Sequence, residues 1–279
     1  MPADDAANPI LSVRNLVVRF PARGGSFLKP RPAITAVDHV SFNIGAGETL
    51  GLVGESGSGK TTVGRAVLRL VHAEHGGEVE FEGIDVLTAG RAAMRRLRRR
   101  MAIVFQDPGG SLNPRLRIGE MVGEPMLVHG IATDPDVRRE KVEQLLERCG
   151  MSPGCVDHYP HEFSGGQRQR IGIARALASE PRFIVCDEPT SALDVSIQAQ
   201  ILNLLSDLQR DLGLSYLFIS HDMAVVRHMC SRIAVMRAGK IVEQGPRDQI
   251  IESPQEPYTK ALLAAVPEAT PRRRASVVC

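Results

Sequence analysis

A glycine-rich string stands between a short apolar strand pattern (TLGLVG) and an amphipathic helix pattern that runs from about Lys60 to Val71. The string Gly54-Glu55-Ser56-Gly57-Ser58-Gly59-Lys60-Thr61 fits G-x-x-x-x-G-K-[ST], in which glycines let consecutive backbone N–H groups converge on a phosphate. The helix N-terminus that follows directs a fractional positive charge at the same point. These residues and Thr62 therefore predict a nucleotide site, with Lys60 on the β- and γ-phosphates and the Thr61 hydroxyl holding Mg²⁺.

A second buried-strand pattern ends in two acids. The string FIVCDE places Asp187 at the carboxyl end of the strand, which is the edge where ligands of parallel sheets bind. Asp187 is predicted to hold Mg²⁺, and Glu188 is predicted to polarise the attacking water as a general base. The alternative is two acids that open a loop before Pro189, and the upstream phosphate loop favours the magnesium–nucleotide site.

The periodicity of the whole chain predicts an α/β fold. Residues 10–20 and the string TAVDHVSFNI alternate apolar and polar positions, as half-buried strands do, and later segments alternate strand and helix patterns. We expect a phosphate-loop NTPase core with a mainly parallel sheet, an N-terminal antiparallel β subdomain and an inserted helical subdomain. The expected boundaries within a single domain are 8–50 and 76–83 for the antiparallel region, 50–106 and 180–237 for the core, 107–179 for the helical part and 238–279 for a C-terminal hairpin, helices and tail.

Composition excludes several function classes. The chain has 34 Lys and Arg against 32 Asp and Glu, and no apolar run approaches the length of a membrane-spanning helix. The acidic N-terminus lacks the apolar run of a signal peptide. Five widely spaced cysteines without a C-x-x-C pair predict reduced structural thiols rather than a metal site. The arginine-rich helix expected at 91–100 lacks interleaved aromatic residues, which favours a solvated face over a nucleic-acid site.

A further string, Phe163-Ser164-Gly165-Gly166-Gln167-Arg168-Gln169-Arg170, precedes a helical pattern. Ser164 is an N-cap candidate, and the two glycines leave the first N–H groups of the helix accessible, so this is a second possible anion-binding helix end. The alternative is a capped helix without a ligand. The string closely resembles the signature of ATP-binding-cassette ATPases, with Phe where Leu is more usual. VFQDP precedes this string and SALD and FISHD follow it, all in family order, and the resemblance covers about residues 10–266.

The resemblance implies a head-to-tail dimer with two ATP molecules between the subunits. In such a dimer, Ser164, Gly165, Gly166 and Gln167 would contact the γ-phosphate that is bound to the other subunit. Gln106 would contact Mg²⁺ and link the nucleotide to the membrane partner, and His221 would contact the γ-phosphate near Glu188. Asp194 would lie at the dimer interface. Phe20 is the candidate for stacking on adenine, with a core residue that ends a strand as the alternative.

Finer features resemble one importer group. Three strings are similar to ATPases that serve oligopeptide, dipeptide or nickel import: QDPGGSLNPR, CDEPTSALDVSIQAQILNLL and EPYTKALLAAVP. Glu256 stands where that group usually has His. The Pro/Gly loop at 21–33 resembles the second of the group's two unlike ATPase subunits. The implied protein is a peripheral ATPase at the cytoplasmic face of the cell membrane. Its implied partners are transmembrane permease subunits, a second and different ATPase chain and, indirectly, an extracytoplasmic solute-binding protein, without nucleic acid.

Two other functions remain open at this point. A soluble cassette ATPase could act on nucleic acid or ribosomes, but repair-type relatives carry long coiled-coil insertions, and only 57 residues separate Gln106 from Ser164 here. Translation-type relatives carry two cassettes, and this chain has one. An exporter ATPase is disfavoured by the importer-like strings. Stimulation of the ATPase by nucleic acid rather than by membrane subunits would favour the soluble class.

Overall fold

The computed structural model describes residues 9–21 and 33–265 of the chain. Ten strands, ten α-helices and two short 3₁₀ helices, Pro153–Asp157 and Pro160–Glu162, fall within these ranges. The strands are β1 (Leu11–Phe20), β2 (Ile34–Ile44), β3 (Thr49–Val53), β4 (Glu78–Phe81), β5 (Ile84–Asp85), β6 (Met101–Val104), β7 (Phe183–Asp187), β8 (Ser215–Ser220), β9 (Arg232–Arg237) and β10 (Lys240–Pro246). The helices are α1 (Lys60–Val67), α2 (Arg91–Arg100), α3 (Pro108–Ser111), α4 (Ile118–Val128), α5 (Pro135–Arg148), α6 (Gly165–Leu177), α7 (Val195–Leu212), α8 (Met223–Met229), α9 (Arg247–Glu252) and α10 (Pro257–Ala264).

A six-stranded sheet has the order β10-β9-β3-β8-β7-β6. The pairs from β9 to β6 are parallel, and β10 pairs antiparallel with β9. In β7 the side chains alternate between two cores, because Phe183 and Val185 pack on one face while Ile184 and Cys186 pack on the other. β3 lies between β8 and β9, so the loop that follows β3 emerges near the middle of the sheet's carboxyl edge.

A second, antiparallel sheet has the order β2-β1-β4-β5. Its apolar positions, among them Leu11, Val37 and Phe81, pack with α1 and one face of the large sheet in a single core. The other face of the large sheet packs with α7 and with the helices between β6 and β7, including Ile118, Ile171 and Ile201. The predicted combination of a mainly parallel sheet, an antiparallel sheet and helices is therefore confirmed.

Two elements are shorter than the sequence pattern predicts. Helix α1 ends at Val67 rather than Val71, because Arg69 adopts a left-handed φ of 52° and its guanidinium donates to the Val86 and Ala89 carbonyls. The apolar run MAIVFQ at 101–106 predicts a strand that reaches Gln106, but β6 ends at Val104, where its pairing with β7 ends at Cys186. The early end of β6 leaves Gln106 in a loop, from which its side chain reaches the functional site.

Four of the five cysteines lie within the described residues. Cys149, Cys155, Cys186 and Cys230 are free thiols, and Cys279 lies outside the described residues. Burial raises the pKa of the Cys149 thiol to about 12, as expected for an inert structural cysteine. Within residues 9–21 and 33–265, no cluster of three or more His, Cys, Asp and Glu could hold a metal ion. No described helix is both long enough and apolar enough to cross a membrane.

Candidate active site

The glycine-rich loop lies between β3 and α1 and surrounds the ammonium group of Lys60. Lys60 is only 4% exposed, and its Nζ donates to the carbonyls of Gly54 at 2.7 Å and Glu55 at 2.8 Å. Burial lowers the pKa of Lys60, and the nearby carboxylates of Glu188, Asp187 and Glu55 oppose that shift. The loop therefore holds one cation at the start of a helix, which is a favourable arrangement for phosphate.

The loop is pressed against neighbouring backbone at two glycines. A Cβ at Gly54 would lie 2.1 Å from the Met236 carbonyl oxygen, and a Cβ at Gly59 would lie 2.3 Å from the Ala36 carbonyl oxygen. Both glycines have positive φ angles, 149° and 105°. Close approach and backbone conformation therefore both require glycine at these positions. This packing fixes the loop between the ends of β9 and β2.

Asp187 and Thr61 meet at the carboxyl edge of the sheet. The Thr61 hydroxyl donates to Asp187 Oδ1 at 2.8 Å, and burial raises the pKa of the 2% exposed Asp187 despite that hydrogen bond and the nearby Arg65. Hydroxyl and carboxylate oxygens suit Mg²⁺, which in proteins takes one or two carboxylates together with substrate phosphates. The predicted metal residues Thr61 and Asp187 therefore fit the ion by chemistry and by proximity.

Glu188 occupies an unusual backbone position. Its φ is 48°, in the left-handed region that non-glycine residues rarely adopt, and its N–H donates to the Ile219 carbonyl at 3.0 Å. The carboxylate Oε2 accepts a hydrogen bond from Gln106 Nε2 at 3.0 Å and lies 3.2 Å from His221 Nδ1. Gln106 and His221, which are far from Glu188 in the sequence, thus both contact the same carboxylate oxygen of Glu188.

One cleft contains most of the predicted site residues. It is lined by the glycine-rich loop together with Ala36, Gln106, Glu188, His221 and Leu262. Ala36 and Leu262 belong to none of the motif strings that predict the site. Phe20 pairs with Ile34 at the end of β1 and is 40% exposed, and it is not among the residues that line this cleft. Adenine stacking by Phe20 therefore stays a prediction.

The signature string lies outside that cleft. Ser164 caps α6: its Oγ accepts from the Gln167 N–H at 3.4 Å, and Gln167 Oε1 accepts from the Ser164 N–H at 2.9 Å. Gly165 is exposed, whereas Gly166 is buried, and a Cβ at Gly166 would lie 2.4 Å from Ile197 Cγ2 of α7. Packing against α7 is thus a sufficient reason for glycine at position 166. Asp194, the other residue assigned to the dimer interface, is exposed and caps α7 by accepting from the Ile197 N–H.

Comparison with known families decides the class. Residues 37–191 match the ABC transporter family, and residues 242–278 match the oligopeptide/dipeptide transporter C-terminal region. The chain belongs to the ABC transporter family. The match at 242–278 also confirms the predicted resemblance to the oligopeptide/dipeptide group.

Curated relatives agree with this assignment. The chain is 56% identical over 268 residues to the glutathione import ATP-binding protein GsiA of Escherichia coli strain K12 and to that of Shigella boydii serotype 4. Each alignment covers 95% of this chain and 42% of the relative. The chain therefore spans less than half the length of the curated relatives it matches.

Solved structures give the same fold. The cbiO1 protein of Clostridium perfringens, part of the ABC transporter complex cbiONQ, matches with a TM-score of 0.74 at 26% identity, covering 88% of this chain and 92% of that one. The ATP-binding cassette MJ0796, solved as a dimer bound to ADP and Pi in a post-hydrolysis state, matches with a TM-score of 0.74 at 29% identity, covering 85% and 98%. The predicted class, an ATP-binding cassette, is confirmed by these matches together with the family match.

Proposed function

We propose that this chain hydrolyses ATP as the energy-coupling subunit of a membrane importer for oligopeptides or dipeptides, with nickel or a related small solute as the alternative cargo. The catalytic part of this proposal rests on one carboxylate oxygen of Glu188, which both Gln106 and His221 contact in the cleft that contains the buried Lys60. The match at 242–278 and the glutathione-import relatives support the cargo class.

The proposal assigns a role to the main polar residues of the site. The loop N–H groups and Lys60 bind the phosphates of ATP, and Thr61, Asp187 and Gln106 hold Mg²⁺. The bound ion would neutralise charge on the β- and γ-phosphates. Glu188 accepts a proton from the attacking water, and its left-handed backbone and the Gln106 hydrogen bond orient the carboxylate. His221, 56% exposed at the edge of the cleft, contacts the γ-phosphate.

Closure of a head-to-tail dimer completes the site in this proposal. Ser164, Gly165, Gly166 and Gln167 contact the γ-phosphate of ATP bound to a second ATPase subunit, which is a different chain. Their position outside the chain's own cleft supports this arrangement. ATP binding closes the dimer, and hydrolysis reopens it.

The proposed assembly extends to the membrane. The helical part at 107–179 docks on transmembrane permease subunits at the cytoplasmic face. An extracytoplasmic binding protein delivers the solute, and nucleic acid takes no part. The C-terminal segment at 238–279 belongs to the same ATPase domain.

Co-purification and enzymology test the proposal together. The tagged chain is isolated from detergent-solubilised membranes, and mass spectrometry identifies the proteins that accompany it. We expect polytopic permeases and a second cassette subunit, and the assembled complex in liposomes should hydrolyse ATP faster when a solute-binding protein delivers peptide. Stimulation by nucleic acid with no effect of permeases would overturn the importer assignment, and absence of any ATPase activity in the complex would overturn the catalytic one.

A further inference from the structure

Helix α10 contacts the glycine-rich loop directly. The Tyr258 hydroxyl accepts a hydrogen bond from the Glu55 N–H at 3.2 Å, and Leu262, one turn further along the same helix, lines the cleft. These two residues are 203 and 207 positions after Glu55 in the sequence. A segment at the end of the described chain thus forms part of the wall around the phosphate site.

Tyr258 is held in place from two sides. The Arg237 guanidinium lies over its ring, 4.9 Å from the centroid, and Arg237 is the last residue of β9. The start of α10 is fixed by Glu243 of β10, whose carboxylate accepts from the Gln255 N–H at 2.7 Å and the Glu256 N–H at 3.3 Å. The tyrosine is therefore attached to the β9–β10 hairpin.

The same hairpin also holds the loop. The Gly239 N–H in its turn donates to the Ser58 carbonyl at 3.0 Å, and β9 pairs in parallel with β3, the strand that leads into the loop. Tyr258 and the loop therefore share one rigid support, and a single tyrosine hydroxyl can set the position of Glu55 with little loss of side-chain freedom.

Glu55 connects Tyr258 to the cation of the site. Its N–H donates to Tyr258, and its carbonyl accepts from Lys60 Nζ at 2.8 Å. The hydroxyl therefore constrains the residue that in turn positions the ammonium group.

We propose that Tyr258 is a positioning residue for ATP, whose hydroxyl holds Glu55 so that Lys60 points at the phosphates. This inference rests on the proposed ATPase function. It assigns to the C-terminal region a role in nucleotide affinity, in addition to any role in assembly. Loss of the hydroxyl would leave the charge of Lys60 in place and would loosen only the Glu55 carbonyl that positions it, so the main effect falls on the affinity for ATP.

Tyr258→Phe removes the hydroxyl and keeps the ring under Arg237. We expect the KM for ATP of the assembled complex to rise about three- to tenfold, the effect of one hydrogen bond, while kcat changes less than about twofold. The matched control is Tyr216→Phe, which removes a buried hydroxyl that donates to the Leu205 carbonyl at 3.0 Å in the core. The control should lower the thermal midpoint and leave the KM unchanged.

A double-mutant cycle tests whether Tyr258 acts on ATP binding through Lys60. In the Lys60→Ala background, Tyr258→Phe should not weaken ATP binding further, as measured by equilibrium dialysis on the isolated chain. An unchanged KM in Tyr258→Phe, or an equal loss of affinity with and without Lys60, would overturn the proposal. A wild-type complex that hydrolyses no ATP would instead overturn the proposed function, so the two failures are distinguishable.

Discussion

The phosphate cleft and the signature helix differ in how far one chain completes them. In the cleft, side chains from four segments contact each other: Thr61 with Asp187, and Gln106 and His221 with Glu188. At the signature, the side chains of Ser164 and Gln167 each accept a hydrogen bond from the other's backbone N–H, within one helix turn. The chain therefore arranges the chemical groups of the cleft by itself, whereas the signature helix presents its N-terminus outward.

This difference predicts two kinds of variant. Changes in the cleft should alter nucleotide binding or chemistry in any state of the protein. Changes at the signature should leave binding to the isolated chain unaltered and should act only after a second ATPase subunit is present. A signature variant that lost ATP binding as an isolated chain would contradict this distinction between the cleft and the signature helix.

The largest effect is expected for Lys60→Ala. The substitution removes the buried cation on the β- and γ-phosphates, and we expect kcat/KM for ATP hydrolysis to fall about 10³-fold or more because a preorganised charge and its binding contribution are both lost. Steady-state kinetics of the assembled complex measure it. Lys141→Ala, at a 41% exposed lysine of α5, is the matched control and should bind ATP normally. Hydrolysis near the wild-type rate would remove the loop from the mechanism.

Glu188→Gln should separate binding from chemistry within the cleft. Glutamine keeps the shape of glutamate but cannot accept the proton of the water, so kcat should fall about 10²- to 10⁴-fold while ATP affinity survives. The variant should accumulate as a dimer with trapped nucleotide, visible by size exclusion with ATP and absent with ADP. Turnover within about threefold of wild type, well below the usual contribution of a general base, would mean that another group activates the water.

A smaller effect, restricted to the dimer, is expected for the signature. Gly165→Asp adds a carboxylate at an exposed position whose Cβ meets only Leu193 at an ordinary 3.6 Å. Repulsion of the partner's γ-phosphate should reduce turnover about tenfold or more, in the range of close like-charge contacts, without changing ATP affinity of the isolated chain. Gly165→Ala is the control for the added Cβ. Gly166→Asp is less informative, because its Cβ would collide with Ile197. Normal turnover in Gly165→Asp would contradict the cross-subunit role.

The sequence predicted most of the fold because its signals are local. Alternation in β1 and β2, buried runs in β3 and β7, and the glycine-rich string each depend on neighbouring residues, and each predicts its element without knowledge of the rest. The motif strings predict the glycine-rich loop, Gln106, Glu188 and His221 of the cleft, but not Ala36 or Leu262. The structure adds that Gln106 and His221 contact the same carboxylate oxygen of Glu188.

Long-range contacts were the part that the sequence could not supply. Nothing in the string EPYT indicates that Tyr258 bonds to a residue 203 positions earlier. That contact depends on where the β9–β10 hairpin places α10. The signature string explains the glycine at 166 only by access to a helix N-terminus, whereas its packing against Ile197 follows from the crossing of α6 and α7. The early ends of α1 and β6 likewise depend on Arg69 contacts and strand pairing.

The smallest expected effect concerns stability of the cleft without nucleotide. Burial raises the pKa of Asp187, so the ionised carboxylate costs folding free energy at neutral pH. Asp187→Asn keeps an oxygen that accepts from the Thr61 hydroxyl and removes the charge. We therefore expect the thermal midpoint of the nucleotide-free chain to rise by about 1–4 °C at pH 7, the range that about 1 kcal/mol produces in a protein of this size.

The sign of the pH dependence distinguishes charge removal from better packing. Because the pKa of Asp187 is higher in the folded state, the cost of its ionisation disappears as the pH falls through that raised pKa, and the advantage of Asp187→Asn should shrink on acidification. Adding Mg²⁺ and ATP should reverse the order at pH 7, since ligand binding stabilises wild type more than a variant without the metal-binding carboxylate. Scanning calorimetry at several pH values, with and without nucleotide, measures both. An advantage that stays constant with pH, or survives saturating Mg²⁺ and ATP, would show that Asp187 is a packing residue and would remove the metal from its role.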